Sequence, residues 1–127
     1  LANSDNVLRG GFTRKPVNVP ELLRVLRFEV LDDPLVRPVT TAPGLVTWPV
    51  PVRDFALYRA EPGEAGRPVE VPVAGPAVVL CVAGSVTVDD GTGPLALASG
   101  GAGLARAGAK AVTVSGAGTA FVATTGL

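Results

Sequence analysis

Histidine is absent from the 127 residues, and that absence excludes more than any motif suggests. It removes the commonest zinc ligand and the commonest general acid or base at neutral pH, so the chain is expected to bind no metal of its own. Methionine is absent too. A primary translation product begins with one, so Leu1 reads as an internal position and the chain as a piece of a longer protein. Cys81 is the single cysteine, which rules out an intrachain disulfide and mildly favours a reducing compartment. It lies in the apolar run 77–83, where a thiol behaves as a small, inert hydrophobe. Neither sign of charge is in excess: eleven basic residues balance eleven acidic ones, and no Lys/Arg cluster forms the electrostatic footprint of a nucleic-acid or anionic-membrane partner. No apolar stretch approaches the roughly 18 residues of a bilayer span, and no basic segment leads into an apolar one as in a signal peptide. A cytoplasmic protein without nucleic-acid or membrane partners is the expectation.

What is present suffices for a globular core. Hydrophobic residues make up 47% and charged residues 17%, and the length suits one domain with a short arm. Three stretches are distinguished. Residues 1–19 have loop chemistry, with Asn3, Ser4, Asp5 and Asn6 offering Asx-type turns and Gly10-Gly11 permitting a sharp one. Residues 20–52 begin with a short amphipathic helix over 20–28, in which Pro20 takes a first-turn position, Glu21 follows it, and Asn18 or Val19 caps. The prolines at 34, 38, 43, 49 and 51 then predict an extended connection that is neither helix nor central strand.

Residues 53–127 switch to short β segments bounded by turn signals, over 54–61, 68–73, 77–82, 85–89, 94–98, 103–106, 111–115 and 119–124. Strict alternation in Ser85-Val86-Thr87-Val88-Asp89 and Ala111-Val112-Thr113-Val114-Ser115 puts valines on one face and polar groups on the other. Eight strands without an intervening helix predict a mainly β fold, an antiparallel jelly roll. Its inward faces should include Leu57, Val79, Cys81, Val86, Val88, Val112 and Val114, or the alternate register in each strand. Asp89-Asp90-Gly91-Thr92-Gly93 reads as a hairpin turn, not a metal site, because adjacent strand side chains point to opposite faces. Ser99-Gly100-Gly101-Ala102-Gly103 lacks the Lys-Ser/Thr of a phosphate loop and reads as a turn. Trp48, between Thr47 and Pro49, reads as a core or interface plug.

The informative segment is the first. Arg9 is followed by a glycine pair that lets a ligand approach closely, and Lys15 adds a second cation. Two cations on one ordered loop suit a phosphate or a developing oxyanion. The run Ser4-Asp5-Asn6-Val7-Leu8-Arg9-Gly10-Gly11-Phe12-Thr13-Arg14-Lys15, with Val19-Pro20-Glu21-Leu22-Leu23-Arg24-Val25-Leu26 after it, closely resembles the Ser-Asp-Asn-Val-x-Arg-x-Gly-x-Thr-Pro-Lys signature of type I mannose-6-phosphate isomerases and the helix behind it. Arg14 stands where the signature has proline, and Asn18 where aspartate is usual.

The remainder, including Arg53-Asp54-Phe55-Ala56-Leu57-Tyr58-Arg59, resembles the cupin-like C-terminal domain of bacterial members. The resemblance implies a parent enzyme that interconverts mannose 6-phosphate and fructose 6-phosphate through an enediol, with a phosphorylated hexose as its partner and zinc as its cofactor. It implies that Arg9 is the catalytic arginine, that Lys15 contributes to substrate binding, and that the zinc ligands, a glutamine, a glutamate and two histidines, lie upstream. On that reading 1–19 belongs to the catalytic region of the parent, and the chain alone is inactive. A non-catalytic cupin-like module that binds a sugar or a protein is the alternative.

Overall fold

The computed structural model describes residues 10–12, 14, 16–63 and 66–126. The chain divides into two compact units, Leu1–Leu35 and Val36–Leu127. In the first, the expected helix forms as α1, Val19–Val25. Asn18 is its cap: the side-chain Oδ1 accepts from the Glu21 N–H at 3.1 Å, satisfying one of the donors that a first turn leaves without a partner. Pro20 sits where its missing N–H costs nothing. Glu21 and Arg24, one turn apart, form a two-point ion pair on the exposed surface. The Arg24 guanidinium holds the Glu21 carboxyl below its ordinary range. The helix ends at Val25, three residues short of the predicted end, where Leu26 turns extended. No residue of α1 is buried.

The second unit is all β. Its strands are β1 Val39–Ala42, β2 Leu45–Thr47, β3 Ala56–Ala60, β4 Val69–Pro72, β5 Ala77–Asp89, β6 Pro94–Ala98, β7 Ala102–Ala105 and β8 Ala111–Thr124, and every strand pairing is antiparallel. Two strands are much longer than expected. β5 runs for 13 residues and β8 for 14, and they pair along nearly their whole length, with a register shift between Cys81 and Ala83. The first half of β5 and the last half of β8 belong to one layer, in the order β1-β2-β3-β8-β5-β7; their other halves belong to a second layer, β4-β8-β5-β6. This is the jelly-roll plan, two antiparallel layers joined by strands common to both.

The core lies between the layers. The first contributes Tyr58, Ala60, Val79, Cys81, Ala120 and Val122; the second contributes Val69, Val71, Val86, Val88, Val112 and Val114. Each fully buried valine adds about 1.5 kcal/mol or more of hydrophobic stabilisation. Six of the seven predicted inward positions are buried. In β3 the alternate register holds: Tyr58 and Ala60 point inward, and Leu57 lies half-buried on the opposite face.

A second difference concerns the proline-rich stretch. Residues 39–47 form the β1–β2 hairpin, and β2 pairs with β3 at Leu45↔Ala60, Val46↔Arg59 and Thr47↔Tyr58. Pro38, Pro43 and Pro49 all fall outside the two strands, so the prolines break no ladder bond and bracket a hairpin.

Candidate functional site

Arg9 and Lys15 both lie outside the described residues. Of the loop that carries them, Gly10, Gly11, Phe12 and Arg14 are described, and all are exposed. Phe12 adopts a left-handed φ of 51° directly after the glycine pair, so the backbone turns sharply where the sequence allows it. A side chain at Gly10 or Gly11 would meet nothing within 4 Å, which leaves the backbone of the pair open to close approach.

The β unit has a concavity of its own, at the open end between its layers. Val79, Val88 and Val112 form its floor, Leu95 and Gly103 its sides, and Asp90 and Arg106 its rim, around a cavity of about 190 Å³. The rim is built by the predicted hairpin turn. The Asp89 Oδ1 accepts from the N–H groups of Gly91 at 2.7 Å and Gly93 at 3.2 Å, the side-chain-to-backbone bonding that makes aspartate a turn residue. The Asp90 Oδ1 accepts from both the hydroxyl and the N–H of Thr92, and its Oδ2 accepts from the Arg106 N–H at 3.1 Å with the guanidinium Nε at 3.9 Å. These bonds, the Thr92 hydroxyl first, hold the Asp90 carboxyl below its ordinary range.

Asp90 is therefore a clasp between the β5–β6 turn and the end of β7, and its acceptors are already used. Arg106, with a carboxylate beside it and Asp89 nearby, does not give the mouth the net positive charge that a phosphate would need. Sequence reasoning assigned Asp90 to the turn and missed its tie to Arg106, because a contact across sixteen residues leaves no local pattern.

Trp48 stacks on Phe121, with ring centroids 5.9 Å apart and planes inclined by 25°. Neither ring is fully buried. Cys81 is free and buried, its thiol directed at the carbonyls of Ala83 and Gly84. Among the described residues no three His, Cys, Asp or Glu side chains gather as a metal site, and no helix is long and apolar enough to cross a membrane.

No family model matches the chain. Curated relatives do. The chain is 35% identical over 120 residues to a mannose-6-phosphate isomerase of Escherichia coli, a match that covers 93% of this chain and 30% of that protein. It is 32% identical over the same span to the mannose-6-phosphate isomerase of Salmonella typhimurium. Among solved structures, a variant of the phosphomannose isomerase from Salmonella typhimurium superposes with a TM-score of 0.81 at 30% identity, covering 99% of this chain and 32% of that one. A mannose 6-phosphate isomerase with zinc bound superposes with a TM-score of 0.78 at 28% identity, over 97% of this chain and 31% of that one. The chain thus spans about a third of the length of the proteins it matches. In sequence over nearly its whole length, and in its β-rich cupin-like fold, the chain is a homologue of the corresponding part of the mannose-6-phosphate isomerases.

Proposed function

We propose that the chain acts as the C-terminal part of a cytoplasmic mannose-6-phosphate isomerase, in which Arg9 is a catalytic residue and Lys15 a substrate-binding one. The observation that supports this most is the joint one: 35% identity over 93% of the chain to a mannose-6-phosphate isomerase, together with the same fold in solved isomerases over 99% of it.

The chemistry assigns the arginine its task. Aldose-ketose isomerisation through an enediol moves a proton between C1 and C2, and negative charge gathers on the adjoining oxygens in the transition state. A guanidinium remains protonated throughout and offers a planar fork of donors to that charge. Lys15, six residues further on, carries a compact ammonium charge with three donors, which suits the dianionic phosphate of the substrate. Gly10 and Gly11, with open space where side chains would stand, let the sugar approach the backbone between the two cations.

Zinc is a different matter, and the described residues do not fit it. The only cysteine points its sulfur at core carbonyls, the sequence has no histidine, and no acidic cluster forms among the described residues. The zinc ligands of the complete enzyme are proposed to lie in the part of the relatives that this chain does not match.

The test is an isomerase assay on the complete protein encoded by the reading frame of this chain, beside the 127-residue chain alone. The complete protein should convert mannose 6-phosphate to fructose 6-phosphate, and the isolated chain should not rise above blank. A complete protein that leaves mannose 6-phosphate unchanged would remove this reading in favour of a non-catalytic module.

A further inference from the structure

The cavity at the open end of the β unit is lined by that unit alone and has no part in the isomerase reading above. Its floor of Val79, Val88 and Val112 is buried. Its wall on β7 is made of small residues, because strand alternation turns Gly103 and Ala105 inward, with Gly103 opposite Val79. No left-handed φ demands a glycine at 103. Across the gap, a Cβ on Gly103 would lie 2.8 Å from the Leu95 Cδ2, the free end of an exposed side chain that can swing aside. Packed interiors leave few voids larger than a water molecule, so a space of about 190 Å³ beside buried valines points to an occupant.

Volume and rim together define its chemistry. An apolar cavity of about 150 Å³ holds a benzene ring, so this one admits a six-membered ring with one or two further atoms. A sugar does not suit the floor, since its hydroxyls would be desolvated against valines that offer them no partner. At the rim, the Asp89 carboxylate is engaged by two turn N–H groups and the Asp90 carboxylate by Thr92 and the Arg106 N–H. A cationic head therefore finds no free carboxylate, and an anionic head meets two. The Arg106 guanidinium faces Asp90 only through Nε, at 3.9 Å, which leaves its Nη donors for a neutral acceptor such as a hydroxyl or carbonyl oxygen.

We propose that this cavity is a binding site for a small neutral amphiphile, an aromatic or alicyclic ring bearing one hydroxyl or carbonyl group. The ring lies on Val79, Val88 and Val112, Leu95 closes over it, and the polar head accepts from Arg106. Pockets of this kind combine an apolar body with a few placed polar groups.

Saturation-transfer NMR on the complete protein tests this with benzyl alcohol as the probe, and with toluene, benzoate, benzylamine and mannose beside it. Benzyl alcohol should bind with a Kd on the order of 1 mM, the strength that so few heavy atoms support. Benzoate and benzylamine should bind at least about threefold more weakly, and mannose should show no transfer from this site. Gly103→Val fills the wall and should abolish binding of both benzyl alcohol and toluene. Arg106→Met keeps the stem and removes the donors, so it should weaken benzyl alcohol about fivefold and leave toluene unchanged. Thermal melts of both variants establish that they are folded. If Gly103→Val does not fold, Arg106→Met decides alone, and equal affinity for benzyl alcohol in it and in wild type overturns the proposal. So does the lack of any transfer to benzyl alcohol at about ten times the expected Kd, or benzyl alcohol binding that survives in a folded Gly103→Val. Displacement of benzyl alcohol by mannose 6-phosphate would likewise overturn it, since the probe would then lie in the substrate cleft.

Discussion

Gly84 and Gly118 face each other across the β5–β8 ladder with no room for a side chain on either. A Cβ on Gly84 would lie 2.2 Å from the carbonyl oxygen of Ala117 and 2.9 Å from the Cα of Gly118. Gly84 also holds a left-handed φ of 66°. This contact sits where the two long strands leave one layer and enter the other, so the bend that closes the fold depends on backbone meeting backbone.

Gly84→Ala is expected to destabilise the chain by about 2 kcal/mol or more, since both the φ and the space forbid the methyl group. Gly63→Ala, where a Cβ would meet nothing within 4 Å, should stay within about 0.5 kcal/mol of wild type. Urea or thermal denaturation of the two variants checks the contrast, and equal stabilities would show that the strands do not approach so closely.

The Asp90 clasp predicts a response to acid. Its carboxyl is held low by the Thr92 hydroxyl and the Arg106 N–H, so the folded pKa lies below the unfolded one. Its stabilising contribution is then fully present above the unfolded value, near pH 4, and is lost as pH falls through the folded value. Asp90→Ala should lower the melting temperature at neutral pH and flatten its fall on acidification. Melting curves between about pH 2 and pH 7 read both effects, and an unaltered acid limb would show that Asp90 is not the group responsible.

Burial separates the inner and outer faces of the first layer. Val122, fully buried and paired with Tyr58 and Val79, should cost about 2 kcal/mol when cut to alanine, through lost transfer energy and an unfilled cavity. Leu104→Ala, on the outer face of the isolated chain, should cost about 0.5 kcal/mol or less despite losing more carbon. Chemical denaturation of the 127-residue chain measures both, and a reversed order would contradict the assigned register.

Arg9 is tested in the complete enzyme. If it acts on charge that develops in the transition state, Arg9→Ala should lower kcat by about 10² to 10³, the scale of losing one preorganised donor. Arg9→Lys should recover part of that loss, because a lysine keeps the charge and not the planar fork. Zinc content should be unchanged in both. A raised KM with kcat intact would reassign Arg9 to ground-state binding, and wild-type kinetics would remove it from the mechanism.

Local pattern carried much of this fold. The alternation around Val86 and Val112 located two inward faces correctly, the Asn18-Val19-Pro20-Glu21 run located a helix start, and Asp89 to Gly93 located a turn. The misreadings share a cause. Gly84, Gly116 and Gly118 look like chain breaks in sequence, yet they are places where a strand continues and bends because another backbone presses against it. Leu57-Tyr58 presents two large residues of similar affinity for a core, and only the pairing with β8 decides between them. The β1–β2 hairpin was hidden because the count of prolines was informative and their spacing more so. Of the candidate site, the proposed roles of Arg9 and Lys15 rest on their motif and lie outside the described residues, whereas the Asp90–Arg106 tie depends on tertiary contact alone.

The position of β8 in the chain has a consequence for how the domain is made. β3, β4 and β5 all hydrogen-bond to β8, which follows every one of them in sequence. As the polypeptide leaves the ribosome, β3 can pair with β2, and β5 with β6 and β7, but the edge of each that β8 will take stays bare, and β4 has no partner in the ladder. Neither layer can close until β8 has been synthesised, so the domain must fold late and in one step, with long loops to close before most contacts form. Until then the emerging chain is a set of sticky, incomplete sheets, and chaperone capture or premature association should be most pronounced in the interval between synthesis of β5 and release of β8.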